Sequence, residues 1–232
     1  MRNPDPFSAL ALKPITEEMA HAILDDSAFI QECVLGGIEF EKLIEGLRRP
    51  IDARLRIAAE ASTQMLEMLA AANARFVLIG GLAGCAYGAA RFATKDLDIC
   101  HARDRENLEI FVDVLERLRA KFRRLPRFAP ERICADTFLT ETDFIFTGSH
   151  GDIDLIGEFT GVGRYEQASS DSVTMRLGGY EIQVLSLPKL TAAKLSTGRP
   201  KDLKVYHELQ TIQRALGIAY GPPIPSLSWR GR

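Results

Sequence analysis

The rhythm of hydrophobic positions changes near residue 73. Before it, Leu55, Ala58, Met65, Leu66 and Leu69 recur at helical spacing and predict a helix over 51–72. Shorter helices are expected at 16–25 and 37–47, behind an arm that carries Pro4, Pro6 and Pro14. After it, "RFVLIGG" (75–81) is a β-rich run stopped by glycines, and "LAGCAYGAARF" is a helix of small residues. "DLDIC" alternates with period two and predicts a strand. Asp104 is a candidate cap for a helix whose Leu108, Phe111, Val112, Leu115 and Leu118 form one stripe.

A basic loop broken by proline follows at 123–132. "TDFIFTGSHGDIDLIGEF" then reads as two strands around a Gly-Ser-His-Gly turn, and "SVTMRLGGYEIQVLS" as a hairpin around Gly178-Gly179. Ser186 is a candidate cap for the helix "LPKLTAAKLS", and Pro200 opens another in its first turn. The tail "PPIPSLSWRGR" has no period. The expected fold is α+β: a small mixed sheet core over 73–185, a helical N-terminal extension over 1–72, and C-terminal helices and a tail over 186–232.

Composition changes this picture little. Of 232 residues, 46% are hydrophobic and 26% charged, the make-up of a globular chain able to bury a full core. A net charge of −2 leaves nucleic-acid binding to a local patch. No apolar run reaches the roughly 18 residues of a membrane span. The N-terminus lacks a signal-peptide core, so the cytoplasm is the expected location and no membrane partner is expected. Cys33, Cys85, Cys100 and Cys134 are widely spaced and read as reduced thiols, not as a zinc site.

The chemistry lies in the alternation. On a strand, Leu97 and Ile99 face one way, and Asp96 and Asp98 the other, roughly 7 Å apart at their Cα atoms. Carboxylates sharing a space raise one another's pKa unless a cation joins them, and such hard oxygens suit Mg²⁺. "GDIDLIG" repeats the pattern. If the two strands are neighbours, Asp154, which lies deeper in the apolar run than Asp152, completes a triad able to hold two Mg²⁺ ions. Gly80 and Gly81 end a strand and open a helix, where bare backbone lets a phosphate approach. Arg91 and Lys95 lie between glycines and acids and could take further phosphate charge. A D-x-D also occurs by chance on solvent-facing strands; strand, glycine pair, helix and D-x-D strand together are more specific. "GGLAG" does not fit G-x-G-x-x-G, and there is no Walker lysine motif.

These residues resemble the nucleotidyltransferase superfamily that includes DNA polymerase beta, which shares G-[GS], a gap, D-x-[DE] on a strand and a later acid. The resemblance is closest to small bacterial members, the AbiEii-like toxins of toxin–antitoxin systems. "FVLIGGLAGCAYGAARFATKDLDIC" carries it, and "IQVLSLPKLTAAKLSTGRPKDL" carries it again through a lysine-bearing helix and an R-x-K-D turn. Val205 stands where a second acid often follows that turn.

The resemblance covers about 75–215. It implies that Asp96, Asp98 and Asp154 hold Mg²⁺ and that Gly80 and Gly81 hold a nucleoside triphosphate. Lys194 would touch phosphate or activate the acceptor, and Asp202 would orient part of the site. The implied reaction moves a nucleoside monophosphate to an acceptor hydroxyl on RNA, tRNA or protein, with a cognate antitoxin as a further partner. Two alternatives share the fold: a non-catalytic module that binds nucleotide or a partner, and an antibiotic-modifying nucleotidyltransferase.

Other features carry two readings. The basic residues Arg117, Arg119, Lys121, Arg123, Arg124, Arg127 and Arg132 could dock nucleic-acid phosphates or simply suit a helix C-terminus and solvated loops. Lys194 flanks an apolar stripe and could equally be a solvated lysine. His150 reads as a turn residue.

Overall fold

The computed structural model describes residues 53–87, 89, 96–124, 132–177 and 179–215. The expected helices at 16–25 and 37–47 lie outside the described residues, as do Arg91, Lys95 and Arg127.

In chain order the elements are helix α1 (Ala53–Ala71), strand β1 (Phe76–Leu78), helix α2 (Gly80–Ala86), β2 (Asp96–His101) and α3 (Arg105–Arg117). Strand β3 (Lys121–Phe122) and a 3-10 turn (Ala135–Leu139) precede β4 (Asp143–Gly148) and β5 (Gly151–Ile156). Helix α4 (Tyr165–Ser170), β6 (Ser172–Leu177), β7 (Tyr180–Leu185), α5 (Leu187–Thr197) and α6 (Pro200–Ala215) complete the set.

The strands form one mixed sheet in the order β3-β4-β5-β2-β1-β7-β6. Hairpins pair β4 with β5 and β6 with β7, as their turns predict. The pairs β2–β5 and β1–β7 are parallel and join segments far apart in sequence. The architecture is α+β, with helices before, within and after the sheet.

The period-two pattern explains one face. Leu97, Ile99, Ile153 and Leu155 are fully buried, and Phe144 and Phe146 of β4 join them. Phe122 and Phe146 stack at 4.8 Å between ring centroids, and Phe138 of the 3-10 turn meets Phe144 edge-on at 5.1 Å. Met65, Leu66 and Leu69 of α1 and Leu187, Leu190 and Ala193 of α5 belong to the same core.

Helix α3 buries Leu108, Phe111, Val114 and Leu115, and Leu118 is buried just past its end, whereas Val112, expected in the stripe, is only partly buried. Its cap is the expected one, since the Asp104 side chain accepts from the Asn107 N–H at 3.2 Å. Buried Asn107 then ties α3 to the sheet. Its Oδ1 accepts from the Arg75 N–H at 2.7 Å, and its Nδ2 donates to the carbonyls of Arg75 and Ala102.

At α5 the expectation changes. Ser186 occupies the N-cap position, but its hydroxyl donates to Asp171 Oδ1 at 2.6 Å instead of capping the helix. The charge-assisted bond to this carboxylate orients the hydroxyl toward Asp171 and away from the N–H groups of the helix end. Among the described residues Cys85 and Cys100 are buried and Cys134 is exposed, and none of the three is in a disulfide.

Candidate active site

Parallel pairing of β2 with β5 sets the site. The register matches Asp96 with Asp152 and Asp98 with Asp154. Residues paired in register share a face, so four carboxylates line one side of two adjacent strands. The apolar partners Leu97, Ile99, Ile153 and Leu155 hold the other side in the core, which makes the acid face the only one left for the aspartates. Asp152, expected to lie at the turn and outside the triad, is therefore on the same face as the other three.

The cluster is graded in depth. The Asp96 side chain is 36% exposed, Asp152 25% and Asp154 15%. Burial first, and the charge of Asp98 second, push Asp154 from 3.8 up to about 7; the charges of Asp96 and Asp152 add to the rise, and Arg123 opposes it. Buried Asp154 Oδ1 accepts no hydrogen bond.

The glycine turn touches the same face. Ile79 donates its backbone N–H to the Asp98 carbonyl at 3.1 Å, which seats the start of α2 beside β2. Gly80 has φ +69°, and a Cβ there would lie 2.6 Å from Asp98 Cβ and closer still to its carboxylate. Only glycine satisfies both the left-handed backbone and this approach. Gly81 follows as the second residue of α2.

One cation stands among the acids. Arg123 follows β3, and its guanidinium binds Asp152, lies 3.3 Å from Asp96 Oδ1 and 3.6 Å from Asp154 Oδ1. Burial works against its charge, but the Asp152 hydrogen bond and the charges of Asp152, Asp154 and Asp96 outweigh that and raise its pKa. Among the described residues, no three acid, thiol or imidazole groups are gathered as a metal cluster. Of the expected basic patch, Arg132 instead pairs with Glu116 at 2.6 Å, and Arg123 turns inward onto the acids.

Lys194 and Asp202 form a separate unit where α5 meets α6. Lys194 is buried, not solvated, and its Nζ donates to Asp202 Oδ1 at 3.1 Å. Asp202 Oδ2 accepts from the Thr197 hydroxyl at 2.9 Å and from Arg199 Nε. Burial pushes the Asp202 carboxyl up; the bond to Lys194 and its charge, with Thr197 and Arg199, outweigh this and hold the carboxyl below its ordinary value. His150 sits in the β4–β5 turn, where its Nδ1 lies 2.9 Å from the Ser149 hydroxyl.

The donor set suits a hard divalent cation. Its ligands would all be oxygen, and such an ion would offset the burial and like charge that raise Asp154 to about 7 and would meet its buried Oδ1, which accepts no hydrogen bond. Among the described residues no helix is long and apolar enough to cross a membrane. No protein-family model matches the chain, and no curated protein matches it.

Proposed function

We propose that this chain is a Mg²⁺-dependent nucleotidyltransferase that moves a nucleoside monophosphate from a nucleoside triphosphate to an acceptor hydroxyl. The observation that carries this reading is the in-register parallel pairing of β2 and β5, which sets Asp98 opposite Asp154. The Gly80 backbone packed against Asp98 adds to it.

In this reading Asp96, Asp98 and Asp154 hold the metal. Bound Mg²⁺ supplies neutralisation of phosphate charge and of the departing pyrophosphate. The chain's own groups do the rest. Gly80 and Gly81 offer bare backbone to the triphosphate beside Asp98. Asp154 takes the proton of the attacking hydroxyl as the hydroxyl oxygen bonds to the α-phosphorus and the bond to pyrophosphate breaks. Most of the rate comes from positioning and fixed charge. Lys194 and Asp202 enter as a pair, since a lysine ammonium keeps two donors beyond the one given to Asp202. RNA, tRNA or a protein would be the acceptor, and a toxin role with a cognate antitoxin follows from the resemblance alone.

The test is transfer of labelled nucleoside triphosphate to total RNA and total protein with Mg²⁺. Asp98→Asn is expected to abolish transfer while melting like the wild type. Full activity in that variant would refute the assignment. One observation favours a second reading, a non-catalytic module: Arg123 already pairs with Asp96, Asp152 and Asp154. Mg²⁺-dependent nucleotide binding in calorimetry, with no transfer to any acceptor, would support that module.

A further inference from the structure

The arginine among the acids is a long reach from home. Arg123 lies just past β3, with its backbone N–H bonded to the Ile145 carbonyl of β4 at 2.8 Å. Its guanidinium passes β4 entirely to bind Asp152 and approach Asp154 on β5, and then touches Asp96 on β2. Three carboxylates on two strands thus share one side chain. The guanidinium cannot lose its proton at any ordinary pH, so it is a permanent positive charge held by a flexible stem.

The carboxylates it touches include Asp96 and Asp154, two of the three that the proposed function gives to the cation. A guanidinium and a divalent ion cannot both satisfy the same oxygens at bonding distance. An ion that takes Asp96 Oδ1 and Asp154 Oδ1 competes with Arg123 for them, and its apparent affinity falls by the fraction of molecules in which those oxygens are open.

We infer that Arg123 is a built-in counter-ion of the acid face, a latch that competes with the divalent cation for Asp96 and Asp154 and must swing away for the ion to bind. The inference rests on the metal reading of these aspartates. It adds that cation entry is coupled to movement of one named side chain from the sheet edge. Because the Arg123 side chain is 39% exposed, it has solvent to swing into. A mid-range exposed ion pair shifts an equilibrium by about twofold, so a latch with three partners is expected to hold back the ion by about tenfold.

The experiment is calorimetric titration of the full chain with Mn²⁺ alone, without nucleotide, in wild type, Arg123→Met, Arg123→Lys and Asp98→Asn. Methionine keeps an apolar stem across β4 and removes the charge. The expected result is Mn²⁺ binding about tenfold tighter in Arg123→Met than in wild type, with Arg123→Lys between them and Asp98→Asn without binding. Equal or weaker binding in Arg123→Met would overturn the latch and leave the metal site standing. Absence of Mn²⁺ binding in both wild type and Arg123→Met would overturn both.

Thermal melts guard against a folding defect. Without cation, Arg123→Met should melt lower than wild type, because Asp96, Asp152 and Asp154 have lost their counter-ion. With Mn²⁺ it should gain more than wild type gains. A melting loss that Mn²⁺ does not restore would mean that the arginine is only a structural tie, and the latch would fall.

Discussion

Gly80 shows how one residue can couple backbone shape to chemistry. It has φ +69°, and its missing side chain is the space into which the Asp98 carboxylate packs. An alanine there meets two penalties at once: the left-handed backbone and overlap with Asp98. Together they predict a loss of about 3 kcal/mol for Gly80→Ala, read as a lower urea midpoint with unchanged slope. The overlap falls on a carboxylate of the proposed site, so the same variant should also lose divalent-ion affinity. If Gly80→Ala unfolds at the wild-type midpoint, the close approach of turn and acid is not the tight contact described. Asp154 makes the complementary point. Burial first and the charges of its neighbours second, not its own chemistry, lift it to about 7, well above an ordinary aspartate.

At the scale of elements, the α5–α6 junction is tied by a buried ion pair. Gly198 ends α5 in the left-handed conformation, and four residues later Asp202 gathers Lys194, Thr197 and Arg199. The bonds are unequal in number. Asp202 serves three donors, whereas Lys194 has one partner among them. Removing the carboxylate charge strands a buried ammonium; removing the ammonium leaves the carboxylate two other donors. Asp202→Asn is therefore expected to cost about 3 kcal/mol and Lys194→Met about 1 kcal/mol, measured by urea unfolding. Equal costs, or a larger one for Lys194→Met, would show that the hub is not Asp202.

The spacing of Leu187, Leu190 and Leu195 put Lys194 beside an apolar stripe but could not tell a solvated lysine from this ion pair, because the partner comes from another helix. The same limit applies across the sheet. Alternation in "DLDIC" and "GDIDLIG" announces both strands and which residues each turns inward. Their parallel pairing depends on the whole fold, and so does the inclusion of Asp152. Elements too short to show a period, such as Lys121–Phe122, Ala135–Leu139 and Tyr165–Ser170, left no readable pattern. Nor does a run of seven basic residues reveal that Arg123 alone, of those described, reaches Asp96, Asp152 and Asp154.

For the molecule as a whole, the four aspartates lie on one side of the sheet, and a buried histidine on the opposite side makes stability respond to pH. His101 closes β2 on the core side, fully buried between Phe111 at 5.5 Å and Phe138 at 6.3 Å. Burial first, and then the charge of Arg103, push its pKa from 6.5 down to about 4, with a backbone contact at Ile156 working the other way. In the unfolded chain the same imidazole titrates near its ordinary value. Between about pH 4 and 6.5 the unfolded state therefore binds the extra proton, and stability must rise with pH across that window. Above it both states are neutral and the contribution is complete; below about pH 4 both are charged and it is gone. The size is about 3 kcal/mol, from roughly 1.4 kcal/mol for each unit of pKa difference. Replacing His101 with leucine removes this term while keeping an apolar core residue. The quantity to compare is the pH slope of the unfolding free energy in each protein, because the cost of repacking the core is constant with pH. Other titrating groups, Asp154 among them, contribute to both proteins and drop out of the difference. Urea unfolding in the presence of a chelator, repeated from pH 4 to 8, should show wild type gaining on His101→Leu as pH rises and the gap levelling off near neutrality. A gap that stays constant over that range would mean that His101 holds its proton as easily in the folded core as in water, and the aromatic cage around it would have to be more open than described.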